Sequence, residues 1–266
     1  MAVFGFIGVG NMGGALARAA AQKVNGPSLL LANRSPEKAE RLAAALGGQV
    51  SDNTAIASEA DYIFLGVKPQ MLPGVLAGLA PVLQARQSPF VLVSMAAGTS
   101  IARVRQLAGG DYPVIRIMPN TPAAIGQGMI LYAPSENVPA AALETFLDRM
   151  SAAGRFARLE ERLIDAGSAV SGCGPAFADL FIEALADGGV ACGLPRATAM
   201  ELAAQMVLGS AALVLSDGRH PGALKDAVCS PGGTTIQGVR VLEKGGFRST
   251  VMEAVIAAYE KNFDLK

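Results

Sequence analysis

A glycine-rich turn at the start of the chain constrains the fold more than any other feature. Residues 3–7 are apolar and β-prone, Gly8-x-Gly10-x-x-Gly13 follows at once, and an alanine-rich helical pattern extends from residue 15 to about 23. Gly8 allows the turn, Gly10 lets the backbone approach a pyrophosphate, and Gly13 lets the helix and strand pack closely. A lone glycine motif is a weak indicator, but this one lies between a strand and a helix. We therefore favour dinucleotide binding over a purely structural turn.

The composition sets broad limits. With 266 residues, 51% of them apolar, the chain is long enough for one large domain or two ordinary ones. Acidic and basic residues balance at 22 each, so nothing suggests nucleic acid or an anionic membrane surface as a partner. Three cysteines without a C-x-x-C pair, and one histidine, argue against a metal site and favour reduced thiols.

We expect a soluble cytoplasmic protein. The N-terminus has no basic region before its apolar run and continues directly into the glycine turn, which argues against a signal peptide. The most apolar long stretch, residues 202–215, contains Gln205 and Ser210 and is interpreted as too short to span a bilayer.

Strand and helix patterns alternate through the first 159 residues, which predicts an α/β fold with a parallel, doubly wound sheet. After the first strand, strand patterns occupy residues 28–32, 49–50, 61–67, 90–94, 112–118, 127–133 and 154–159. From about residue 160 the periodicity is helical, at residues 163–170, 176–191, 195–215, 221–228, 236–244 and 248–263. We predict a dinucleotide-binding domain over residues 1–159 and an all-helical domain over residues 160–266.

The segment after the second strand bears on cofactor choice. An NAD-selective site usually has Asp or Glu here to bind the ribose 2′-hydroxyl, but the chain has Asn33-Arg34-Ser35. A cation and a hydroxyl suit a 2′-phosphate, so the sequence favours NADPH, with NADH still possible. The alternative is that Arg34 is only a solvated loop charge.

Two further loops follow strands at the sheet edge where open α/β proteins bind ligands. Lys68 either helps to hold the cofactor or caps a loop, and the sequence does not separate these roles. Pro119 and Pro122 flank Asn120-Thr121 in a stiff loop, which either presents polar groups to a flat ring or is an ordinary turn.

A second candidate anion site lies in the helical half. Ser230-Pro231-Gly232-Gly233-Thr234-Thr235 precedes a helix pattern, so backbone N–H groups and the hydroxyls of Ser230, Thr234 and Thr235 converge at a helix N-terminus. An N-cap by Thr234 with a tight turn between helices explains the same residues, and both interpretations stay open.

The helical half also predicts a partner subunit. Its helices are rich in Ala and Gly and carry little bulk to form a core alone, so we expect them to pack against a second copy of the chain.

The chain resembles the Δ1-pyrroline-5-carboxylate reductase family over essentially its whole length. The most specific block runs from Leu224 through Ser230-Pro231-Gly232-Gly233-Thr234-Thr235 to Arg248. Supporting matches are the glycine turn with Asn11-Met12, Val67-Lys68-Pro69, Met118-Pro119-Asn120-Thr121-Pro122, Ser171-Gly172-x-Gly174-Pro175-Ala176 and Ala186-Asp187-Gly188-Gly189-Val190. The family often has Ser at Cys173, a residue of similar size.

The resemblance implies reduction of pyrroline-5-carboxylate to L-proline by NAD(P)H, the last step of proline synthesis. It implies a Rossmann domain, a helical dimerisation domain, and often a decamer built from dimers. Carried over by position, Ser230, Gly233, Thr234 and Thr235 bind the substrate carboxylate, and Thr235, as the catalytic residue, also lies near the ring nitrogen. The cofactor contacts implied are Gly8, Gly10, Asn11, Met12, Gly13, Asn33, Arg34, Ser35, Val67, Lys68, Pro69, Ala96, Ala97 and Asn120.

Two rivals are weighed against this interpretation. A β-hydroxyacid dehydrogenase would need a catalytic Lys early in the helical half, and residues 162–200 contain no Lys. A nonenzymatic NADP sensor would bind cofactor without turnover, and the intact loop from Ser230 to Thr235 disfavours it. We interpret His220, beside Pro221, as a surface residue near a helix start and not as a catalytic one.

Overall fold

The computed structural model describes residues 2–262, and within this range eight strands form one sheet. The strands are β1 (Phe4–Ile7), β2 (Leu29–Ala32), β3 (Gln49–Val50), β4 (Tyr62–Leu65), β5 (Val91–Ser94), β6 (Val114–Met118), β7 (Gly128–Pro134) and β8 (Gly154–Arg158). The helices of the first half are α1 (Asn11–Ala20), α2 (Pro36–Leu46), α3 (Asn53–Glu59), α4 (Leu72–Ala85), α5 (Ile101–Ala108), α6 (Ala140–Met150) and α7 (Ile164–Ser171). Those of the second half are α8 (Gly174–Ala191), α9 (Arg196–Asp217), α10 (Pro221–Ala227), α11 (Thr234–Lys244) and α12 (Phe247–Lys261). The predicted helix end at Phe263 lies outside the described residues.

The sheet order is β3-β2-β1-β4-β5-β6-β7-β8, so the chain reverses direction across the sheet at the β1/β4 boundary. The prediction of a parallel sheet is wrong at one pair, because β6 and β7 run antiparallel. Only nine residues separate Met118 from Gly128, and they form a short 3-10 turn over Thr121–Ile125. A parallel connection needs a crossover of about a dozen residues or more, so this link is too short for one.

Alternation along the central strands places apolar residues on both faces of the sheet. Phe4 and Phe6 of β1 belong to one buried cluster, while Ile7 belongs to another. In the first cluster the Phe6 and Phe64 rings stack with centroids 4.2 Å apart. Strands with both faces buried read as near-continuous apolar runs, which is why their positions were visible in the sequence.

The chain divides into two compact units, and the division differs from the predicted boundary after residue 159. The first unit comprises the residues up to Cys173 together with those from Ala258 onward, and the second comprises Gly174–Ala257. The first unit extends past residue 159 because α7 is part of its core. Ile164 is fully buried there, and Asp165 is 8% exposed.

The second unit contains α8 to α11 and most of α12. Its buried apolar cluster consists of three alanines, Ala186, Ala199 and Ala203, with Ile182 and Val190 packed against them. The larger apolar side chains of these helices are exposed, among them Leu180, Leu202, Met206, Leu208, Leu213, Leu215, Val241, Val251 and Met252.

The length of α9 contradicts the interpretation that this region is too short to span a bilayer. The apolar stretch interpreted as too short to span a bilayer lies within α9, which has 22 residues. By length and composition alone, α9 and the segment Glu161–Ala191 are each long enough to cross a membrane.

Candidate functional site

The glycine turn forms where β1 and β4 lie side by side. Gly8 has φ +96°, and a Cβ there would lie 2.6 Å from the carbonyl oxygen of Gly66. A Cβ on Gly13 would lie 2.1 Å from the carbonyl oxygen of Gly8. Both glycines are therefore required by the protein's own packing, since real Cβ atoms do not approach other atoms so closely.

Gly10 is different, because a Cβ there would meet no described atom within 4 Å. It is the N-cap of α1, it is exposed, and no side chain hydrogen-bonds the first turn of this helix. Asn11 is exposed and Met12 half-buried, while Gly13 is buried. An open approach to the N-terminal N–H groups of a helix fits a pyrophosphate, which needs backbone donors and space.

Asn33 ties the glycine turn to the loop after β2. Its Oδ1 accepts from the N–H of Val9 at 3.2 Å, and its Nδ2 donates to the carbonyl of Ser35 at 3.1 Å. The N–H of Gly8 also donates to the carbonyl of Ala32 at 2.8 Å. Arg34 and Ser35 are exposed beside this anchor. The loop can therefore present a guanidinium and a hydroxyl to a ligand lying on the glycine turn.

The other predicted cofactor residues follow strands that end at the same edge. The parallel pairing aligns Ile7 with Leu65, and Leu65 with Ser94. Val67, Lys68 and Pro69 follow β4, and Ala96 and Ala97 follow β5. Ala96 is buried, Val67, Pro69 and Ala97 are half-buried, and the Lys68 residue is exposed. The carbonyl of Lys68 accepts from the N–H of Met71 at 2.9 Å, so its backbone shapes the loop while the ammonium stays accessible.

Asn120 follows β6 and is 9% exposed. Its Nδ2 donates to the carbonyl of Ser171 at 2.9 Å, and its Oδ1 accepts from the N–H of Met129 at 2.9 Å. Through these two hydrogen bonds, the Asn120 side chain links the start of β7 to the end of α7. Its contact with a cofactor stays a prediction.

A buried ionic cluster centred on Arg116 in β6 was not predicted from the sequence. This residue is 3% exposed, and its Nη2 lies 2.5 Å from Oδ1 of Asp165. Its Nη1 lies 3.6 Å from Oε1 of Glu161. The detectable signal was the Arg within the apolar run Val-Ile-Arg-Ile-Met, since a buried guanidinium requires a carboxylate partner.

The glycine-rich loop of the second unit has the form of a second anion site. Gly232 has φ +70°, and the N–H of Gly233 donates to the carbonyl of Ser230 at 3.0 Å. A Cβ on Gly233 would lie 2.3 Å from Oγ of Ser230. The alternative with Thr234 as N-cap is wrong, because Thr234 is the first helical residue of α11 and Gly233 is the cap.

No side chain hydrogen-bonds the α11 N-terminus from this cap, and Ser230, Thr234 and Thr235 are all exposed. Lys225, on the preceding helix α10, adds a cation to the same unit. Its hydrogen bond with Asp226 raises the pKa of the Lys225 ammonium above its usual value. Backbone donors, hydroxyls and a free helix N-terminus together can bind a small carboxylate.

His220 has a structural role, as the sequence argument expected for a residue at a helix start. It is the N-cap of α10, where its Nδ1 accepts from the N–H of Gly222 at 3.0 Å. In the described part of the chain, no group of three or more His, Cys, Asp or Glu side chains could hold a metal ion.

A cavity of about 410 Å³ lies at the opposite edge of the sheet from the glycine turn. It is lined by Asp61, Phe90 and Pro113, which precede β4 to β6, together with Arg86. Arg86 lies over the Phe90 ring and donates to the carbonyls of Ala57 and Ala60. The guanidinium of Arg86 thus stabilises the fold. The cavity lies away from the glycine turn and the loops at that edge of the sheet.

Comparison with known proteins identifies both halves of the chain. Residues 161–265 match the family model described as pyrroline-5-carboxylate reductase dimerisation. Residues 3–98 match the model described as NADP oxidoreductase, coenzyme F420-dependent.

Full-length relatives give the same result. The pyrroline-5-carboxylate reductase of Synechocystis sp. is 46% identical over 98% of this chain and 97% of its own length. The Escherichia coli enzyme is 41% identical over 97% of this chain and 96% of its own. The crystal structure of Plasmodium falciparum pyrroline carboxylate reductase with NADP bound is 33% identical, with a TM-score of 0.89 over 99% of this chain and 98% of that one.

Proposed function

We propose the cofactor, the substrate-binding residues and the assembly of this chain from one premise: it belongs to the pyrroline-5-carboxylate reductase family. It is an oxidoreductase that uses a nicotinamide cofactor and reduces pyrroline-5-carboxylate to L-proline, the last step of proline biosynthesis.

The main contribution of the protein to this reaction is to position the cofactor and the substrate. A nicotinamide cofactor held at Gly10 and Arg34 would supply the hydride for the imine carbon, and the basic imine nitrogen arrives protonated or takes its proton from solvent. The chain's own residues bind the two molecules and hold them in a reactive orientation.

For the cofactor, we assign the pyrophosphate to the α1 N-terminus at Gly10 and the adenosine 2′-phosphate to Arg34 and Ser35. The support is the open space at Gly10 and the exposed cation held beside the glycine turn by Asn33. A guanidinium recognises a phosphate well, and the loop carries no carboxylate that would favour the ribose hydroxyl. The preferred cofactor is therefore NADPH.

For the substrate, we assign the carboxylate of pyrroline-5-carboxylate to the loop formed by Ser230, Gly233, Thr234 and Thr235. The observation that carries this assignment is the exposed N-terminus of α11, which has no side-chain cap and is flanked by three hydroxyls. From the family resemblance we also assign Thr235 to the catalytic position, near the ring nitrogen.

For the assembly, we assign the exposed apolar faces of the second unit to a dimer interface between two copies of the chain. Leu180 is 67% exposed, Leu208 59% and Leu215 69% on helices whose own buried cluster is only alanine. Faces of this size and character need a partner. From the family resemblance we further propose a cytoplasmic enzyme, without a membrane or nucleic-acid partner, whose dimers can assemble up to a decamer.

The test is NADPH oxidation by the purified protein with pyrroline-5-carboxylate, measured against NADPH alone, with L-proline quantified as the product. We expect oxidation only with the imine substrate, and one proline formed for each NADPH consumed. Binding of NADPH without turnover would instead support a cofactor sensor. Oxidation of a β-hydroxyacid would support the dehydrogenase alternative.

A further inference from the structure

We propose that the ion pair between Arg116 and Asp165 positions the cofactor edge, through α7 and Asn120, for the reaction assigned above; this inference therefore rests on the proposed function. Among the described residues, the ion-pair partners of Arg116 are Asp165 and Glu161, neither of which is assigned to the cofactor or the substrate. Arg116 is thus a positioning residue and not a catalytic one.

The first step is that the pair is costly to maintain and has no local necessity. The Arg116 side chain is 4% exposed and that of Asp165 is 11% exposed. The Nε of Arg116 is buried, with no hydrogen-bond partner among the described residues. Apolar residues at both positions would bury these surfaces without the cost of desolvating two charges, since buried ion pairs are often no better than well-packed apolar replacements.

The second step is the charge balance around the pair. The cluster holds one guanidinium and two carboxylates, so Glu161 needs a second partner. Its Oε1 accepts from the N–H of Ile101 at 2.6 Å, at the N-terminal end of α5. That helix end has a partial positive charge, which compensates the additional carboxylate. The cluster therefore joins β6 to both α5 and the segment leading into α7.

The third step is that α7 packs against the sheet mainly through small residues. Its sequence is Ile-Asp-Ala-Gly-Ser-Ala-Val-Ser, and its only buried residues are Ile164, Asp165 and Ala169. Gly167 packs so closely that a Cβ would lie 2.6 Å from Cδ1 of Leu131. Small apolar contacts of this kind define register weakly, whereas a directional ion pair defines it well.

The fourth step connects the pair to the site. Six residues after Asp165, the carbonyl of Ser171 accepts from Asn120, which stands four residues after Arg116. The same Asn120 accepts from the N–H of Met129. The helix is thus fastened to β6 and its following loop at two points, and the second point holds the loop that ends at the cofactor edge. A shift of α7 moves Asn120 away from Met129.

The experiment uses the full-length enzyme with the double substitution Arg116→Met and Asp165→Leu. Either single substitution removes one partner of the buried pair and leaves the charge of the other in place, whereas the double variant removes both charges and keeps a similar volume. We expect its melting temperature to stay within about 5 °C of the wild type. We expect kcat to fall by about tenfold or more, with KM for pyrroline-5-carboxylate changed by less than about threefold, because reacting geometry is lost and carboxylate binding is kept.

A second measurement reads the position of Asn120 directly and needs no substrate. Hydrogen–deuterium exchange at the Met129 amide should quicken by about tenfold or more in the double variant, because that N–H loses its acceptor. If the ion pair only stabilised the fold, the exchange rate of the Met129 amide would not change in a double variant that keeps its stability. Failure of the proposed function would appear in the wild-type enzyme, whereas failure of this inference would appear in the variant, so the two are distinguishable.

The matched control is Arg105→Met. Arg105 also pairs with two carboxylates, Asp111 at 2.8 Å and Glu136 at 3.1 Å, and its Nε donates to Tyr112 just before β6. We expect this variant to lose stability while keeping kcat and Met129 protection. A folded double variant at positions 116 and 165 that keeps both kcat and Met129 exchange within about twofold of wild type overturns the proposal. Faster Met129 exchange with unchanged kcat also overturns it.

Discussion

The two units of this chain solve the problem of burying apolar surface in opposite ways. The first has a sheet with both faces covered, and its fully buried side chains include Phe4, Phe6, Phe64 and Phe146. The second has a buried cluster of three alanines and leaves its leucines exposed. Full burial of a leucine is worth about 1.5–3 kcal/mol, so the second unit leaves much of its available stability unused within one chain.

This difference indicates where each part of the reaction site gets its rigidity. The glycine turn is fixed by contacts within the first unit, such as that between Gly8 and Gly66. The loop before α11 is fixed locally by Ser230 and Gly233, but we propose that the helices around it are stabilised by a second copy of the chain. Cofactor binding is thus expected of a single chain, and substrate binding of an assembled one.

The largest expected effect comes from placing a charge in the proposed interface. Leu208→Glu puts a carboxylate on an α9 face that we assign to the dimer, where an unpaired buried charge is strongly unfavourable. We expect loss of the dimer in sedimentation and a loss of activity of about 100-fold or more. Val50→Glu, at a 51% exposed valine of the first unit, is the matched control and should change neither. An active, stable monomer would contradict the assigned interface.

The second prediction separates two glycines of one turn. Gly13→Ala should destabilise the first unit, because the new Cβ would lie 2.1 Å from the Gly8 carbonyl oxygen. Gly10→Ala should leave the melting temperature of the cofactor-free protein unchanged and weaken NADPH by about tenfold or more, since its Cβ enters space assigned to the pyrophosphate. Fluorescence titration and thermal denaturation measure the two effects. If Gly10→Ala binds NADPH as tightly as the wild type does, the pyrophosphate does not bind at Gly10.

The third prediction concerns cofactor selectivity. Arg34→Ala should weaken NADPH by about 1–3 kcal/mol and leave NADH unchanged, because only NADPH has the phosphate that the guanidinium would bind. Arg41→Ala serves as a control, since that exposed arginine on α2 donates to the carbonyl of Glu37. Kd values for both cofactors decide the matter. Equal loss for the two cofactors would mean that Arg34 does not read the 2′-phosphate.

The smallest predicted effect tests the second unit directly. Thr235→Ala removes a hydroxyl but keeps the backbone donors, so KM for pyrroline-5-carboxylate should rise by about three- to tenfold. A fall in kcat as well would show that the hydroxyl also orients the imine. NADPH affinity should stay unchanged, and an anionic proline analogue should lose affinity in parallel with the substrate. A change in NADPH affinity alone would reassign the loop.

The features that the sequence predicted well are local ones. The glycine turn is encoded within a dozen residues, and the helix start at Pro36 and the loop before α11 are similarly short-range. The direction of β7 was not predictable from the alternation of strand and helix patterns, because alternation does not distinguish parallel from antiparallel pairs. The short connection between β6 and β7 determines that this pair is antiparallel. The helix predicted over residues 195–215 matches α9, and the membrane argument went wrong only because it used the most apolar part of that helix.

The features that the sequence did not predict depend on contacts between residues far apart in the chain. Asp165 and Glu161 lie 49 and 45 residues from Arg116, so the sequence showed an arginine in an apolar strand without its partners. The boundary of the first unit depends on the same contacts, since α7 belongs there through Ile164 and Asp165. A change of periodicity marks where strands stop, but it does not reveal which helix packs on which unit.

The division of the chain affects the order in which the units are completed during synthesis. The second unit is an insertion, because residues 258–262 return to the first unit, where Nδ2 of Asn262 donates to the carbonyl of Asp165 at 3.3 Å. A ribosome releases these residues only after the whole inserted segment has emerged. The nascent first unit therefore lacks this contact until the insertion has been made. Substitutions in the last turn of α12 consequently act on the first unit, although that helix begins in the second one.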